Sequence, residues 1–352
     1  MRAIAIWLIL VCCLIVAMVA VGGITRLTGS GLSMTDWKPI LGTVPPRGES
    51  QWQHKFDLYK ATPQYQMLNE GMELGEFKAI FFWEYLHRLL GRVVGLAFGI
   101  PFIVFLVCGR IRGALAANLL VAFLLGAGQG VLGWYMVQSG LVDKPYVSHF
   151  RLAAHLSLAF ALFAYLIWIL LDLRPSVTAQ GGRSLAIASL LFLALLCCQI
   201  VYGAFMAGLD AGFMFNTFPR MLDHWVPPNL FSLESWGENF VSNPAMVQFI
   251  HRGLGWALFA SAFVLIPIGL WNQVSGLAAG ALYGVCGLTL FQFLLGVMTL
   301  LLKVPVGLAV MHQVTACLLL GFAVGLCHET LVGRNHRAIN HAQPEAQTAG
   351  GG

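Results

Sequence analysis

Apolar residues in this chain run in long stretches separated by short polar breaks. Eight stretches, approximately 4–24, 78–107, 115–137, 149–171, 185–208, 245–270, 279–302 and 307–328, approach or exceed the roughly 20 apolar residues that a helix needs to cross the hydrocarbon core. The breaks hold polar punctuation, such as Arg110-Ile111-Arg112-Gly113 and Arg174-Pro175. Two polar segments are much longer than turns, roughly 25–77 and 209–244. The first stretch starts at Ile4 behind Arg2 and reaches Ile24 without a small-residue cleavage site followed by polar sequence. It therefore reads as a retained span rather than a signal peptide. No Arg/Ser-rich presequence precedes it, which fits a bacterial inner membrane better than an organelle precursor.

Composition supports the same picture. Of 352 residues, 58% are hydrophobic and 10% charged, against about 25% charged in a soluble domain. Such a surface must face lipid, and the predicted class is an all-α membrane protein. The net charge of +5 is spread between apolar runs, which excludes a nucleic-acid footprint. Short loops on one side carry Arg2, Arg110, Arg112, Arg174, Arg183, Arg334 and Arg337, and those opposite carry mainly Lys144 and Lys303. The arginine-rich side is expected to be cytoplasmic, with both termini inside and both long segments outside. The eight cysteines lie in or beside apolar runs with no CxxC or CxxCH, so they read as small buried hydrophobes rather than zinc or covalent heme sites.

The chain also repeats itself. Glu84-Tyr-Leu-His87-Arg88-Leu-Leu90-Gly91 matches Gln248-Phe-Ile-His251-Arg252-Gly-Leu254-Gly255. Gln129 and Gly133 match Gln292 and Gly296; Gly22, Gly31 and Pro39 match Gly203, Gly212 and Pro219; His155 matches His312. The prediction is two tandem four-helix bundles related by a pseudo-twofold axis along the membrane normal. The first half is 1–175, with its long outer loop at about 25–77; the second is 176–333; and 334–352 is expected to be a flexible cytoplasmic tail.

Four histidines fall inside these spans. His87, His155, His251 and His312 each lie about five to nine residues from the outer end of a span, and so at similar depth near the outer face. Ionisable groups there are expensive and point to function. Two imidazoles per half, on different helices, suit a low-spin heme iron; a zinc site would gather three or four ligands. Packing histidines without a cofactor are the plainer alternative. The halves differ at one telling position, where Glu84-x-x-His87 faces Gln248-x-x-His251. Residues i and i+3 share a helix face, and a carboxylate can act as a base or stabilise a cation where an amide cannot. The first half is then expected to react and the second to carry electrons, unless Glu84 simply pairs with Arg88 or Arg92. Arg88, Arg92, Arg151 and Arg252 suit heme propionates and equally suit snorkelling to the interface. A transporter would need polar residues along a whole path, which spans 1, 3, 5 and 7 lack.

At these residues the sequence resembles the heme A synthases of proteobacteria and mitochondria. The resemblance covers nearly the whole chain and is most specific in Gly22-Gly-Ile-Thr25-Arg26-Leu-Thr28-Gly-Ser30-Gly31-Leu-Ser33-Met-Thr-Asp-Trp37-Lys38-Pro39-Ile-Leu-Gly42, in Glu76-Phe77-Lys78 with Trp83-Glu84-Tyr85-Leu-His87-Arg88, and in Ala207-Gly208-Leu-Asp210-Ala-Gly212 with Asn216-Thr217-Phe218-Pro219. It implies oxidation of a ring methyl of heme O, a farnesylated heme, to the formyl group of heme A, for use by cytochrome oxidase. It places the substrate heme on His87 and His155, a resident heme b on His251 and His312, and the important acid at Glu84, with water as the oxygen source. The partners it implies are heme O, membrane lipid, a heme O synthase and an unidentified electron carrier, with room for a homo-oligomer. Some bacterial relatives carry a cysteine pair in the first outer loop; this chain has none between Thr25 and Phe77. The alternative kept beside it is a diheme b-type electron carrier, which would have no need of Glu84.

Overall fold

The structure is a computed structural model and describes residues 1–35, 43–142, 144–174 and 182–341, with side chains as far as Val332. Part of the motif noted above, Asp36 to Gly42 with Trp37 and Pro39, lies outside the described residues, as do the boundary between the halves near 175 and the tail from 342.

Eleven α-helices make up the described fold. They are α1 (Arg2–Leu27), α2 (Glu49–Lys60), α3 (Pro63–Leu68), α4 (Leu74–Val107), α5 (Gly113–Gln138), α6 (His149–Asp172), α7 (Arg183–Gly208), α8 (Trp236–Ser242), α9 (Pro244–Trp271), α10 (Gly276–Leu301) and α11 (Val306–His341). Eight are long and apolar enough to cross a membrane: α1, α4 to α7, α9, α10 and the Val306–Val332 part of α11. Each answers to one predicted span. Helix is the expected form, because a spanning chain must satisfy its backbone polar groups internally. The protein is a multi-pass, all-helical membrane protein.

The long polar segments hold short helices that no apolar stretch announced. In the first, Thr62 caps α3 by accepting the Tyr65 N–H, with Pro63 at the first helical position. Glu73 and Glu76 form a capping box, which starts α4 at Leu74, four residues before the predicted span. On this N-terminal extension of α4, α2 and α3 build an aromatic cluster of Phe56, Tyr59, Phe77 and Phe81, with Trp52 and Tyr65 against it. In the second segment Asn243 caps α9 through the Ala245 N–H, with Pro244 following. At the other end α11 continues as helix to His341, so the predicted tail begins in helical backbone.

Helix neighbours repeat between the halves. Helix α1 packs on α4 as α7 packs on α9, and α5 on α6 as α10 on α11. Across the middle, α6 meets α7 as α11 meets α1, α1 meets α6 as α7 meets α11, and α6 meets α11. Exchanging α1, α4, α5 and α6 for α7, α9, α10 and α11 maps this list onto itself. Polar contacts join the halves along the seam. Gln313 Nε2 donates to Val19 O at 3.2 Å. Arg26 at the end of α1 donates to Ala207 O and pairs with Asp210 at 2.7 Å. At the opposite end, buried His328 meets Asp172 at 2.8 Å, and Arg174 pairs with Glu329.

Candidate heme sites

Each of the four histidines sits in the N-terminal half of its helix, facing a glycine on a neighbouring helix. A Cβ added at Gly22 of α1 would meet His87 Nε2 at 3.1 Å; one at Gly133 of α5 would meet His155 Cε1 at 3.1 Å. In the second half Gly203 of α7 faces His251 Cε1 at 3.3 Å, and Gly296 of α10 faces His312 Cε1 at 3.0 Å. Any larger residue would push the ring aside, so the glycines of the repeat are the surfaces that set the imidazoles. His87 lies within electrostatic range of His155, and His251 of His312. The structure therefore brings together the predicted pairs, one per half.

Glutamines complete each pair. Gln129 Nε2 donates to His155 O at 3.0 Å and Gln292 Nε2 to His312 O at 2.9 Å. Gln292 and Gln199 also approach His312 Nε2 and His251 Nε2, both at 3.4 Å. Several polar atoms remain buried with no partner: Nδ1 of His155, His251 and His312, and Oε1 of Gln129, Gln199 and Gln292. A buried polar atom left unpaired costs about 1–3 kcal/mol, and such a concentration marks a site built around a further group. Among the described residues no three or more His, Cys, Asp or Glu side chains gather as for a metal ion. Two imidazoles per site, cradled by glycine in apolar surroundings, fit a heme. In the second half the cavity between the imidazoles is walled by Phe218, Trp256 and Phe293 from its own half and by Leu156 and Phe160 from α6 of the other.

Glu84 is 2% exposed. Its Oε2 accepts from Ser33 Oγ and from the Met34 N–H, both at 2.7 Å, and its Oε1 pairs with Arg88 at 2.5 Å. Arg88 also donates to Met34 O at 2.9 Å. The segment after Gly31 is non-helical as far as it is described, and it binds the acid directly. The ion-pair reading of Glu84 is thus realised with Arg88, and the carboxylate still lies one turn from His87 on the same face. The second half makes the matching contact with reversed polarity. Gln248 Nε2 donates to Phe215 O at 3.4 Å, and Phe215 corresponds to Met34 in the register set by Gly31 and Gly212. Arg252 donates to the carbonyls of Thr217, Pro219 and Arg220 at 2.9, 2.9 and 3.1 Å. Arg151 donates to Tyr135 O and covers the Tyr135 ring at 3.7 Å.

Three features escaped the sequence reading. Arg26 reaches from the first half to line the second cavity; residues nearly two hundred positions apart meet there, and no local pattern announces it. Gln199 has Met18 as its first-half counterpart, so the repeat hid it. Ser33 lay inside the motif but carried no assigned role.

Comparisons with known proteins fit this picture. Residues 5–324 match the family model described as "Cytochrome oxidase assembly protein" (COX15-CtaA). The chain is 48% identical over 336 residues to a protein named "Heme A synthase" from Nitrosospira multiformis, with 93% of each chain covered. It is 44% identical to the one from Nitrosomonas eutropha, again over 93% of each chain. It is 45% identical to the one from Parvibaculum lavamentivorans, over 93% of this chain and 94% of the relative.

Proposed function

We propose that this chain, which belongs to the COX15-CtaA family of cytochrome oxidase assembly proteins, is a heme A synthase: a membrane-bound oxidoreductase that converts a ring methyl of heme O to the formyl group of heme A. The observation that carries this reading is the pairing of two alike imidazole sites with a buried carboxylate at only one of them. His87 and His155 would hold the substrate, and His251 and His312 a resident heme b, in two pseudo-twofold-related halves. A heme held by His251 and His312 would supply one-electron transfer. The rest of the chemistry falls to the chain. Glu84, held by Ser33, Met34 and Arg88, places a negative charge beside His87, where it stabilises positive charge developing at the carbon being oxidised and takes up protons released as water adds its oxygen. Arg88, Arg151 and Arg252 lie at the outer ends of α4, α6 and α9, where their guanidinium groups suit the propionates. The apolar walls exclude bulk water from the reacting carbon.

The loop charges support a bacterial inner-membrane orientation with both termini cytoplasmic and both sites toward the outer face. Heme O would then come from a heme O synthase, and the electrons leave to a separate carrier. To test this reading, the protein is purified, supplied with heme O and an electron acceptor, and its hemes are extracted. Heme A is expected beside heme b. Heme b at both sites, with heme O unconverted, would identify a diheme electron carrier instead.

A further inference from the structure

Arg26 joins the two halves at a place where the repeat is not kept. In the register set by Gly22 and Gly203, Arg26 corresponds to Ala207, and Gly29 to Asp210. Arg26 Nη2 donates to the carbonyl of Ala207 and to Asp210 Oδ1, the latter at 2.7 Å. The arginine thus meets its own counterpart where the repeats adjoin. Two arginines side by side would repel each other. The methyl of Ala207 leaves room for one cation, and Asp210, standing where the first half has a glycine, anchors it from the second half.

That one cation lines the second cavity, together with His251 and His312. Its side chain is 26% exposed, against 73% for Asp210, so water screens the aspartate while the guanidinium is largely enclosed. Both bonds use Nη2, one corner of a planar fork whose geometry matches a carboxylate. They leave Nε and Nη1 unengaged. A second guanidinium lines the same cavity: Arg252, which follows His251, has Nη1 buried with no partner. A buried cationic donor without an acceptor is costly, and an anion in the cavity would relieve that cost. In the first half the residue matched to Arg252 is Arg88, which is bonded to Glu84 and to Met34 O. The second cavity therefore receives one guanidinium from each half, and a heme presents two propionates.

We propose that Arg26 binds one propionate of the heme held by His251 and His312, supplied across the seam by the other half, and that its charge raises the midpoint potential of that heme. This rests on the second half being a heme site. Ferric heme carries one more positive charge than ferrous heme, so a cation beside it favours the reduced state; charge, burial and hydrogen bonding around the group are the protein's means of setting its potential. Asp210 positions Arg26 and opposes its charge from the solvent side.

The test uses full-length wild type, Arg26→Gln, Arg26→Lys and Asp210→Asn. The low-spin component that His312→Ala removes reports the second site. Each protein is titrated with heme b and with heme b dimethyl ester, whose propionates are capped, and the bound heme b is titrated potentiometrically. Arg26→Gln is expected to weaken heme b binding about tenfold, to weaken ester binding much less, and to lower the midpoint potential. Arg26→Lys should keep the potential near that of wild type while losing part of the affinity. Asp210→Asn, which breaks the pair but leaves the cation, should raise the potential. An equal loss for heme b and its ester in Arg26→Gln overturns the proposal, as does an unchanged potential. A fall in potential in both Arg26→Gln and Asp210→Asn also overturns it and leaves a tie between the halves only. Wild-type protein without a low-spin component that depends on His312 overturns the reading of the second half itself, a result distinct from any difference between these variants.

Discussion

The first and second halves share their helices, their neighbours and their glycine-cradled histidines, yet they treat one position oppositely. At Glu84 the side chain only accepts, taking bonds from Ser33, Met34 and Arg88. At Gln248 it donates, to the carbonyl of Phe215. The surroundings changed with the residue: the position matched to Ser33 is Met214, which offers no hydroxyl. A repeat can thus keep its scaffold and divide its chemistry by reversing the direction of a few hydrogen bonds.

Substitutions can break that contrast. The largest effect is expected from Glu84→Gln, which gives the first half the second half's amide. Heme A formation should fall at least about 10²-fold, while heme content, measured by extraction, is retained; unchanged heme A yield would remove Glu84 from the chemistry. His312→Ala comes next. It removes one imidazole of the second pair, so the purified protein should lose the low-spin signal of heme b while the first site still binds added heme. Loss from the first site instead would reverse the assignment.

Gln248→Glu probes the contrast from the other side. The new carboxylate would face the Phe215 carbonyl with no hydroxyl at Met214 to donate to it. The protein should lose about 1–3 kcal/mol, read as a lower Tm in detergent, and gain no second active site. Gly203→Ala and Gly296→Ala crowd His251 and His312. Each is expected to cost about 1–3 kcal/mol and to shift the heme b spectrum without touching the first site. The smallest effect belongs to the end of the seam away from the histidine pairs, where both halves contribute. Asp172→Ala removes the partner of buried His328 and should cost about 1 kcal/mol by thermal unfolding.

The spans were legible because lipid imposes one rule over twenty residues, and the histidines were legible because polar groups are costly in such runs. The short helices α2, α3 and α8 were not. Their stability comes from packing, as when Phe56 and Tyr59 stack on Phe77 at 5.1 and 5.2 Å, and no apolar stretch announces that. The pairing of His87 with His155 was readable from the repeat. The ties from Ser33 and Met34 to Glu84 were not, since they join residues fifty apart through an irregular segment. Arg26 was hidden for the same reason: its partners, Ala207 and Asp210, belong to the other half.

The acid at 84 and the amide at 248 have a consequence at the level of the gene. Every glutamate codon becomes a glutamine codon by exchange of its first base. The long polar segments and the Ser33–Met214 difference are spread over many codons. The acid–amide contrast is one nucleotide deep on a scaffold that is many mutations deep, so a chain with two acids or two amides lies a single base change away.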